Sequence, residues 1–345
     1  MPSTVLNSLN SALHALLRED ERVVVLGEDL LDPYGGAFKV TRGLSSAFPG
    51  RVLTTPISES GFVGLAAGMA MRGLRPVVEI MFGDFLLLAG DQLLNYISKC
   101  RWMYNGQSCV PLVIRAPMGG RRGYGPTHSQ TVEKHFLGMP GLTVVAPNVF
   151  CDAGQLLRNA VLRHDDPLLF VENKLLYARP QLSAPSAGRL GDWHARDTDG
   201  IFPTVLLSYH PFTRAHVTLV AYGYMAELAA QAANALLMEE EIFCEVIIPS
   251  CISPLDATPI LDSLWRSGNM VVCEEGTETA GWGAEVIARA TAEAFDALRS
   301  APRRVAARDL PIAGSKPLEQ VTLPQVEDIV AAVRHTLAPQ RLEFR

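Results

Sequence analysis

Short apolar runs recur along this chain, and they constrain its fold more than any other feature. They are continuous and rich in valine and leucine, which is typical of strands buried on both faces of a parallel sheet. In the first half of the chain they are RVVVLG (22–27), RVLTT (51–55), RPVVEIMF (75–82), VPLVIRAP (110–117), LTVVAP (142–147) and PLLFVE (167–172). Because helical patterns separate them, we predict an α/β fold with a doubly wound, mostly parallel sheet.

The apolar pattern is interrupted once, near residue 178. The segment ARPQLSAPSAGRLGDWHARDTDG is rich in Pro, Ser, Gly and Asp and has no apolar period, which is typical of a loop. We predict a linker over residues 179–204. Beyond it, HVTLVAYG, FCEVIIP and NMVVCEEG alternate with helical segments again. The sequence therefore predicts two α/β domains, residues 1–178 and a smaller C-terminal domain over residues 205–345.

Charge and cysteine content exclude several classes of protein. The 345 residues carry a formal net charge of −6 at pH 7, whereas nucleic-acid binding requires a strongly basic surface. The six cysteines include no C-x-x-C pair, so neither a zinc cluster nor a disulfide framework is indicated. No apolar run reaches the ~20 residues that cross a bilayer, and the N-terminus lacks a cationic export signal. We expect a cytoplasmic protein with no nucleic-acid or membrane partner.

Ligands of open α/β sheets bind outside the carboxyl ends of the strands, so the segments after the predicted strands are candidates for the site. They include GEDL (27–30), PISES (56–60), MFGDF (81–85) and APMGGRRGYGPTHSQ (116–130). The glycine-rich segment lacks the ending of a P-loop and the G-x-G-x-x-G spacing, which argues against nucleotide binding. It does place His128 among hydrogen-bonding neighbours, where a structural and a functional histidine are both consistent with the sequence.

Glu59 stands at the start of a helix-length run, SGFVGLAAGMAM (60–71), that has no polar face. A helix apolar all round is expected to be buried. A capping box would need Ser or Thr at the position of Pro56, which leaves a solvated first-turn carboxylate as the structural alternative. Because burial favours the protonated form of a carboxylate, we favour a proton-exchanging role. Phe85 follows Met81 at four-residue spacing, and periodicity alone predicts core packing for it.

Many ordered motifs resemble one family, and the likeness covers nearly the whole chain. These motifs are GED, YGGAFKVTRGL, TPISESGFVGLAAGMAMRGLRPVVEI, DQLLNYISK, VPLVIRAPMGG, GYGPTHSQ, PGLTVVAP, ENKLLY, VTLVAYG, SPLD, VVCEEG, GWGAEV and VEDIVAAV. Together they resemble the beta subunit of the thiamine-diphosphate-dependent decarboxylating component of 2-oxo acid dehydrogenase complexes, of the pyruvate, branched-chain or acetoin type.

The resemblance implies a fold, a cofactor and partners. The fold is a transketolase-like pyrimidine-binding domain followed by a transketolase C-terminal-like domain. The cofactor is thiamine diphosphate, shared with an alpha subunit that holds the diphosphate through magnesium in an α2β2 heterotetramer. The activity is that of an oxidoreductase that decarboxylates a 2-oxo acid and passes the acyl unit to a lipoyl acyltransferase. The chain alone is then expected to be inactive.

The resemblance also implies roles for individual residues. Glu59 matches the glutamate that hydrogen-bonds a ring nitrogen of the cofactor's aminopyrimidine. His128 matches a loop histidine assigned to substrate handling and acyl transfer. The positions that pack around the pyrimidine are matched by Ile57, Met81 and Phe85, which replaces the core-packing expectation for Phe85. Some relatives bind a structural potassium ion, for which the candidate ligands here are Leu112, Ala160, Val161 and Asp166.

The chain departs from the family pattern in its C-terminal half, and this leaves three hypotheses. IPSCISPLD stands where the family has DLRTLxPLD, and IAGSKPLE replaces a PYSP-like segment. The first hypothesis is the 2-oxo acid dehydrogenase component. The second is a specialised relative that transfers a two-carbon unit, from a 2-oxo acid or a ketose phosphate, to a carrier protein. Arg121 and Arg122 are candidates for binding the phosphate, although a solvated basic pair is the simpler interpretation. The third is a non-catalytic scaffold or regulatory subunit.

Overall fold

The computed structural model describes residues 3–182, 187–190, 192–209 and 214–338. Within these residues the strands form two seven-stranded sheets. The strands are β1 Val23–Gly27, β2 Val52–Thr54, β3 Arg75–Glu79, β4 Val113–Met118, β5 Thr143–Val145, β6 Leu168–Asn173, β7 Ala187–Leu190, β8 Trp193–Asp197, β9 Thr204–Ser208, β10 Val217–Ala221, β11 Cys244–Pro249, β12 Cys251–Ser253, β13 Met270–Thr277 and β14 Arg303–Ala307.

The first sheet has the strand order β12-β5-β6-β4-β3-β1-β2, and all of its strands except β12 run parallel. Each of the six apolar runs predicted in the first half of the chain coincides with one of these parallel strands to within one residue at its carboxyl end, or contains it entirely. The residues of β1, β4, β5 and β6 are buried throughout. The predicted fold class is confirmed, because strands covered on both faces need no polar side.

Helices cover both sheets. The α-helices are α1 Val5–Glu19, α2 Leu44–Ala47, α3 Glu59–Met71, α4 Cys100–Met103, α5 Ala153–Leu162, α6 Met225–Glu240, α7 Thr258–Ser267, α8 Trp282–Ala294, α9 Lys316–Thr322 and α10 Val326–Leu337. Short 3₁₀ helices span Gly83–Ala89, Glu133–His135, Leu176–Ala178 and Phe295–Ala297, and a π-helix spans Gln92–Ile97. Thr4 caps α1 by accepting the backbone N–H of Asn7, and the buried leucines of α1 face α5.

The second sheet has the order β14-β13-β10-β11-β9-β8-β7. β14, β13, β10 and β11 run parallel, whereas β9, β8 and β7 are added as antiparallel strands. The predicted linker, residues 179–204, contains β7 and β8, so it forms part of the second sheet and is more than a connecting loop. Only one of the five residues of β8 is buried, so this part of the sequence showed no apolar period. The domain boundaries themselves stay a prediction.

One strand from the second half of the chain and two side-chain contacts link the two sheets. β12 leaves the second half and pairs antiparallel with β5 of the first sheet. The Tyr222 hydroxyl donates to Glu133, and the Trp282 indole N–H donates to the Ile252 carbonyl at 3.1 Å. These contacts fix the second sheet against the first. Among the described residues, no helix is both long enough and apolar enough to cross a membrane.

Candidate active site

The carboxyl ends of five parallel strands meet at one edge of the first sheet. β6, β4, β3, β1 and β2 are neighbours in that order and run in the same direction. The segments that follow them are therefore adjacent in space, where an open α/β sheet binds its ligand. These segments contain the predicted cofactor and catalytic residues Ile57, Glu59, Met81, Phe85 and His128.

Glu59 is the first residue of α3 and is only 4% exposed. Ser58 occupies the N-cap position without a side-chain cap bond. No residue that the structure describes forms a hydrogen bond or ion pair with the Glu59 carboxylate. Buried polar groups in proteins are nearly always hydrogen-bonded, so Glu59 has unused capacity for a polar ligand.

α3 is buried on one face only, which corrects the expectation of a helix buried all round. Its buried residues join the core of the first domain: Phe62, Val63, Ala66, Ala67 and Ala70. Gly61, Leu65 and Gly68 are exposed on the other face. An exposed apolar surface beside a candidate site is typical of a contact with another chain.

Glu28, directly after β1, is a second buried carboxylate that the sequence analysis did not assign. Its Oε1 atom has no hydrogen-bond partner among the described residues. Burial, with smaller contributions from the charges of Glu59 and Asp29, raises the pKa of Glu28 to about 7. The site therefore holds two carboxylates that interact, one of which exchanges a proton near neutral pH. The position of Glu28 after a buried strand was the signal available in the sequence.

The variant Glu28→Gln is expected to gain about 1–3 kcal/mol of stability near pH 8 and almost none near pH 4. The pKa of Glu28 in the folded chain lies above its ordinary value of 4.5, so the folded chain binds this proton more tightly than the unfolded chain. Native stability then falls as the pH rises from about 4.5 to 7, and the amide removes that loss. Urea unfolding at several pH values measures it, with the exposed Glu293→Gln as control. A gain of equal size at every pH would contradict the assignment.

An aromatic wall lies at the site, with Phe82 at its centre. The ring centroid of Phe82 is 4.8 Å from that of His128 and 6.1 Å from that of Tyr124. Phe38 packs against Phe82 with centroids 5.4 Å apart, and Phe85 reaches His128 at 5.2 Å. All of these contacts are edge-to-face, a favourable arrangement of aromatic rings. The structure thus brings the predicted residues Phe85 and His128 into direct contact.

Ile57 and Met81 lie on the two strand ends that flank β1. Ile57 is 84% exposed, whereas Met81 is half-buried. An isoleucine so exposed at a strand end is available to pack against a ligand or a second chain.

The loop that carries His128 is held by the C-terminal half of the chain. Glu275 accepts a hydrogen bond from the backbone N–H of Gly120 at 2.8 Å, and Glu319 accepts one from that of Arg121 at 2.6 Å. Both carboxylates are buried. Both carboxylates come from the second half of the chain, so they tie the loop to that half.

The side chain of Arg121 also links the His128 loop to the C-terminal half of the chain. It donates to the Pro324 carbonyl at 2.5 Å and to Gln325 Oε1 at 3.3 Å, and its guanidinium lies 5.5 Å from the ring centre of Tyr224. Arg122 is exposed.

We expect Arg121→Met to lower the free energy of unfolding by about 1–3 kcal/mol, because it leaves a buried carbonyl without a donor. Arg122→Met is the control, with a change within about 0.5 kcal/mol. Thermal and urea unfolding compare the two, and equal losses would argue against this role.

Arginine side chains already contact two of the four candidate potassium ligands. The Val161 carbonyl accepts a hydrogen bond from Arg75 at 2.8 Å, and the Asp166 carboxylate pairs with Arg101 at 2.5 Å. The Leu112 carbonyl accepts a backbone hydrogen bond at 2.9 Å. In the part of the chain that the structure describes, no group of three or more His, Cys, Asp or Glu is arranged to hold a metal ion. The potassium site stays a prediction.

A fully buried arginine ties together the strands that end at the site. Arg115, on β4, donates to Glu79 at 2.6 Å and to both carboxylate oxygens of Glu172 at 2.7 Å. The Tyr177 hydroxyl donates to Glu172 at 2.6 Å. Burial raises the pKa of Glu79 although Arg115 opposes this shift. Because Glu79 lies on β3 and Glu172 on β6, the network joins three adjacent strands.

Two family descriptions match the chain. Residues 2–180 match "Transketolase, pyrimidine binding domain", and residues 213–329 match "Transketolase, C-terminal domain". A solved structure titled "Split gene transketolase, inactive beta4 tetramer" superimposes with a TM-score of 0.73 at 23% identity, and the match covers 98% of this chain and 99% of that one. At this identity the likeness supports the fold alone.

Curated relatives are more similar in sequence. The chain is 36% identical over 337 residues to "Pyruvate dehydrogenase E1 component subunit beta" of Rickettsia felis, covering 97% of this chain and 98% of the relative. It is 38% identical over 330 residues to the mitochondrial subunit beta-1 of that component in Arabidopsis thaliana, covering 95% and 88%. It is 36% identical over 336 residues to the mitochondrial subunit beta of Homo sapiens, covering 97% and 90%.

Proposed function

Because the chain belongs to the transketolase-like family that includes the pyruvate dehydrogenase E1 beta subunits, we propose that it is the beta subunit of a thiamine-diphosphate-dependent 2-oxo acid dehydrogenase. The enzyme decarboxylates a 2-oxo acid such as pyruvate and passes the acyl unit to a lipoyl group. The oxo acid is oxidised in this sequence of steps, so the chain is part of an oxidoreductase. It acts only together with an alpha subunit.

Glu59 carries the proposal, because it is a buried carboxylate with no partner among the described residues. Such a group fits a heterocycle that presents a ring nitrogen, since the pair shares a proton in a charge-assisted hydrogen bond. Ile57, Met81 and Phe85 offer apolar surface to the faces of that ring. When bound, thiamine diphosphate supplies the electron sink for loss of carbon dioxide from the oxo acid.

Glu28 supports the same role. Its pKa of about 7 means that a proton is readily exchanged beside Glu59 at neutral pH. The charge of Glu59 contributes to that raised pKa, so the two carboxylates lie close enough to interact. We assign Glu59 to the contact with the cofactor ring and Glu28 to proton exchange beside it.

His128 is assigned to substrate handling and acyl transfer. Its Nδ1 atom lies 3.0 Å from Thr127 Oγ1, and no other described residue forms a hydrogen bond with its ring. Nε2 is therefore the nitrogen available to a substrate, with which it can form a hydrogen bond. Phe82 and Phe85 pack against the ring and limit the access of water.

The proposal assigns the diphosphate and its magnesium ion to the alpha subunit of an α2β2 heterotetramer. The exposed face of α3, with Gly61, Leu65 and Gly68, and the exposed Ile57 are the surfaces that we assign to this contact. Small residues let another backbone approach closely, and apolar residues supply the area that is buried on association. The acceptor of the acyl unit is assigned to a lipoyl acyltransferase.

The structure weakens the case for a ketose phosphate as donor. In that hypothesis Arg121 and Arg122 bind the phosphate together, but Arg121 is half-buried and its donors contact Pro324 and Gln325. Arg122 alone is exposed. We do not propose the scaffold, because Glu59, Phe85 and His128 are all present at the strand ends. The two-carbon transferase is not favoured either, because the relatives that match nearly the whole chain are named as pyruvate dehydrogenase subunits.

A reconstitution assay tests the proposal. The chain is co-expressed with its alpha subunit, and decarboxylation is measured with pyruvate, branched-chain 2-oxo acids and xylulose 5-phosphate, with and without thiamine diphosphate and magnesium. We expect turnover of a 2-oxo acid that depends on both subunits and on the cofactor. No turnover of any oxo acid by an assembled, cofactor-loaded complex would refute the proposal, and a preference for the ketose phosphate would favour the two-carbon transferase.

A further inference from the structure

Lys174 follows β6 directly and is 0% exposed. Lysine is almost never fully buried unless its ammonium group is paired. Its backbone N–H donates to the carbonyl of Met118, the last residue of β4, at 2.9 Å, which continues the pairing with β4 one residue beyond the end of β6. The side chain therefore starts from a rigid sheet edge at the candidate site.

The ammonium group of Lys174 donates a hydrogen bond to the backbone carbonyl of His128. This is its only polar side-chain contact within the described part of the chain. Its Nζ atom also lies 5.2 Å from the ring centre of Phe82 and 5.4 Å from that of Tyr124, within the range of a cation–π interaction. Lys174 thus contacts the loop histidine, the Phe82 ring that packs against this histidine, and the Tyr124 ring that packs against Phe82.

The charge of Lys174 is held without a direct ion pair among the described residues. Burial lowers the pKa of Lys174 to about 8, although negative charges nearby, led by Asp84 and Glu275, favour its protonated form. The group is therefore mostly charged at neutral pH and costs free energy to bury. A leucine or methionine could fill this position at lower cost, so the lysine needs an explanation other than packing.

A second strand end holds the same loop. Asp84, in the 3₁₀ helix after β3, accepts hydrogen bonds from the backbone N–H of Gln130 at 3.2 Å and from its side chain at 2.9 Å. Two residues therefore hold the loop: Lys174, after β6, binds it at residue 128, and Asp84, after β3, binds it at residue 130. This leaves little freedom for the His128 ring between Phe82 and Phe85.

We infer that Lys174 is a positioning residue, which holds the backbone of His128 so that its imidazole meets the substrate in the reactive orientation. The inference rests on the proposed function of His128 but goes beyond it, since it assigns the orientation of the catalytic ring to a buried lysine on a neighbouring strand. A displacement of about 1 Å in a catalytic group can cost on the order of 10²-fold in rate.

A double-mutant cycle between Lys174 and His128 tests the inference in the reconstituted complex. We expect Lys174→Met to lower kcat by about 10- to 100-fold with KM changed less than about twofold. When His128 is already replaced by alanine, Lys174→Met is expected to lower kcat by less than about twofold. The reason is that the ring that Lys174 positions is no longer present. Losses that multiply would show that Lys174 acts independently of His128 and would overturn the inference.

Lys134→Met is the matched control. Lys134 is a half-buried lysine that donates to Thr277 at 2.5 Å and to the Thr279 carbonyl at 2.7 Å, away from the His128 backbone. A similar loss of kcat in both lysine variants would mean a general loosening of the protein and would count against the inference. If Lys174→Met does not fold, the neutral and shorter Lys174→Gln takes its place in the cycle with the same expectation.

An assay without turnover separates failure of the inference from failure of the proposed function. The full chain is labelled with ¹³C at histidine Cε1, and the His128 signal is identified by its absence in His128→Ala. We expect Lys174→Met to shift or broaden this signal and to leave the other histidine signals in place. An unchanged His128 signal would overturn the inference, even if the complex proved inactive on every 2-oxo acid.

Discussion

Replacing Glu59 by glutamine is expected to lower kcat/KM of the reconstituted complex by about 10²–10⁴-fold, the range of general acid–base catalysis. Glutamine keeps the size of the side chain and a hydrogen-bonding group, but it cannot hold and release a proton. Glu59→Ala is expected to lose at least as much, since it also leaves a space at the start of α3. Steady-state decarboxylation of the preferred 2-oxo acid measures both.

The fold and the assembly are expected to survive these changes. The Glu59 carboxylate has no hydrogen bond or ion pair within the described chain, and the apolar core residues of α3 begin at Phe62, so no native hydrogen bond is broken. Size-exclusion chromatography with the alpha subunit and thermal unfolding check this, and the exposed Glu21→Gln serves as the control for loss of one negative charge. Full activity of Glu59→Ala in an assembled complex would support the non-catalytic scaffold.

The sheets could be predicted from sequence because burial on both faces leaves a local signal. The run RPVVEIMF predicted β3, and NMVVCEEG predicted β13, since a strand covered on both sides needs apolar residues at consecutive positions. The apolar residues of α1 repeat at the spacing of one helix face and form its buried side, so this helix also left a local signal in the sequence. These elements depend on their own residues alone.

Elements that depend on distant partners left weaker signals. β8 lies near the edge of the second sheet, and only Ala195 among its residues is fully buried, so its sequence reads as a polar loop. β12 has three residues and joins the first sheet from the second half of the chain. So short a segment shows no apolar period, and its pairing with β5 depends on the tertiary structure.

The residues of the site also differ in whether the sequence could reveal them. The rule that ligands bind at strand ends selected the segments with Glu59 and His128, and the family resemblance then gave them roles. Phe82 and Lys174 escaped notice, because their contacts with His128 join residues that are 46 positions apart in each case. Such contacts follow from strand order, which residue spacing does not encode.

Replacing Arg115 by methionine is expected to destabilise the chain by about 3–5 kcal/mol, the cost of leaving a buried charge without its partner. Glu79 and Glu172 are both buried and would lose their shared cation. A loss of this size is a large part of the 5–15 kcal/mol that stabilises a typical domain. Urea unfolding of the single chain measures it, with the exposed Arg18→Met as the control for loss of a surface arginine.

Removing the two carboxylates as well should recover most of that loss. In the triple variant Glu79→Gln, Arg115→Met and Glu172→Gln no ionised group of the network remains, and neutral replacement of a buried ion cluster is often tolerated. If the triple variant is as unstable as Arg115→Met, the loss comes from packing and not from unpaired charge. The network joins β3, β4 and β6 and contacts none of the residues assigned to cofactor or substrate. The triple variant should therefore keep kcat per folded complex within about twofold of wild type. A much larger fall in kcat with restored stability would show that the charges under the sheet edge also act on the reaction.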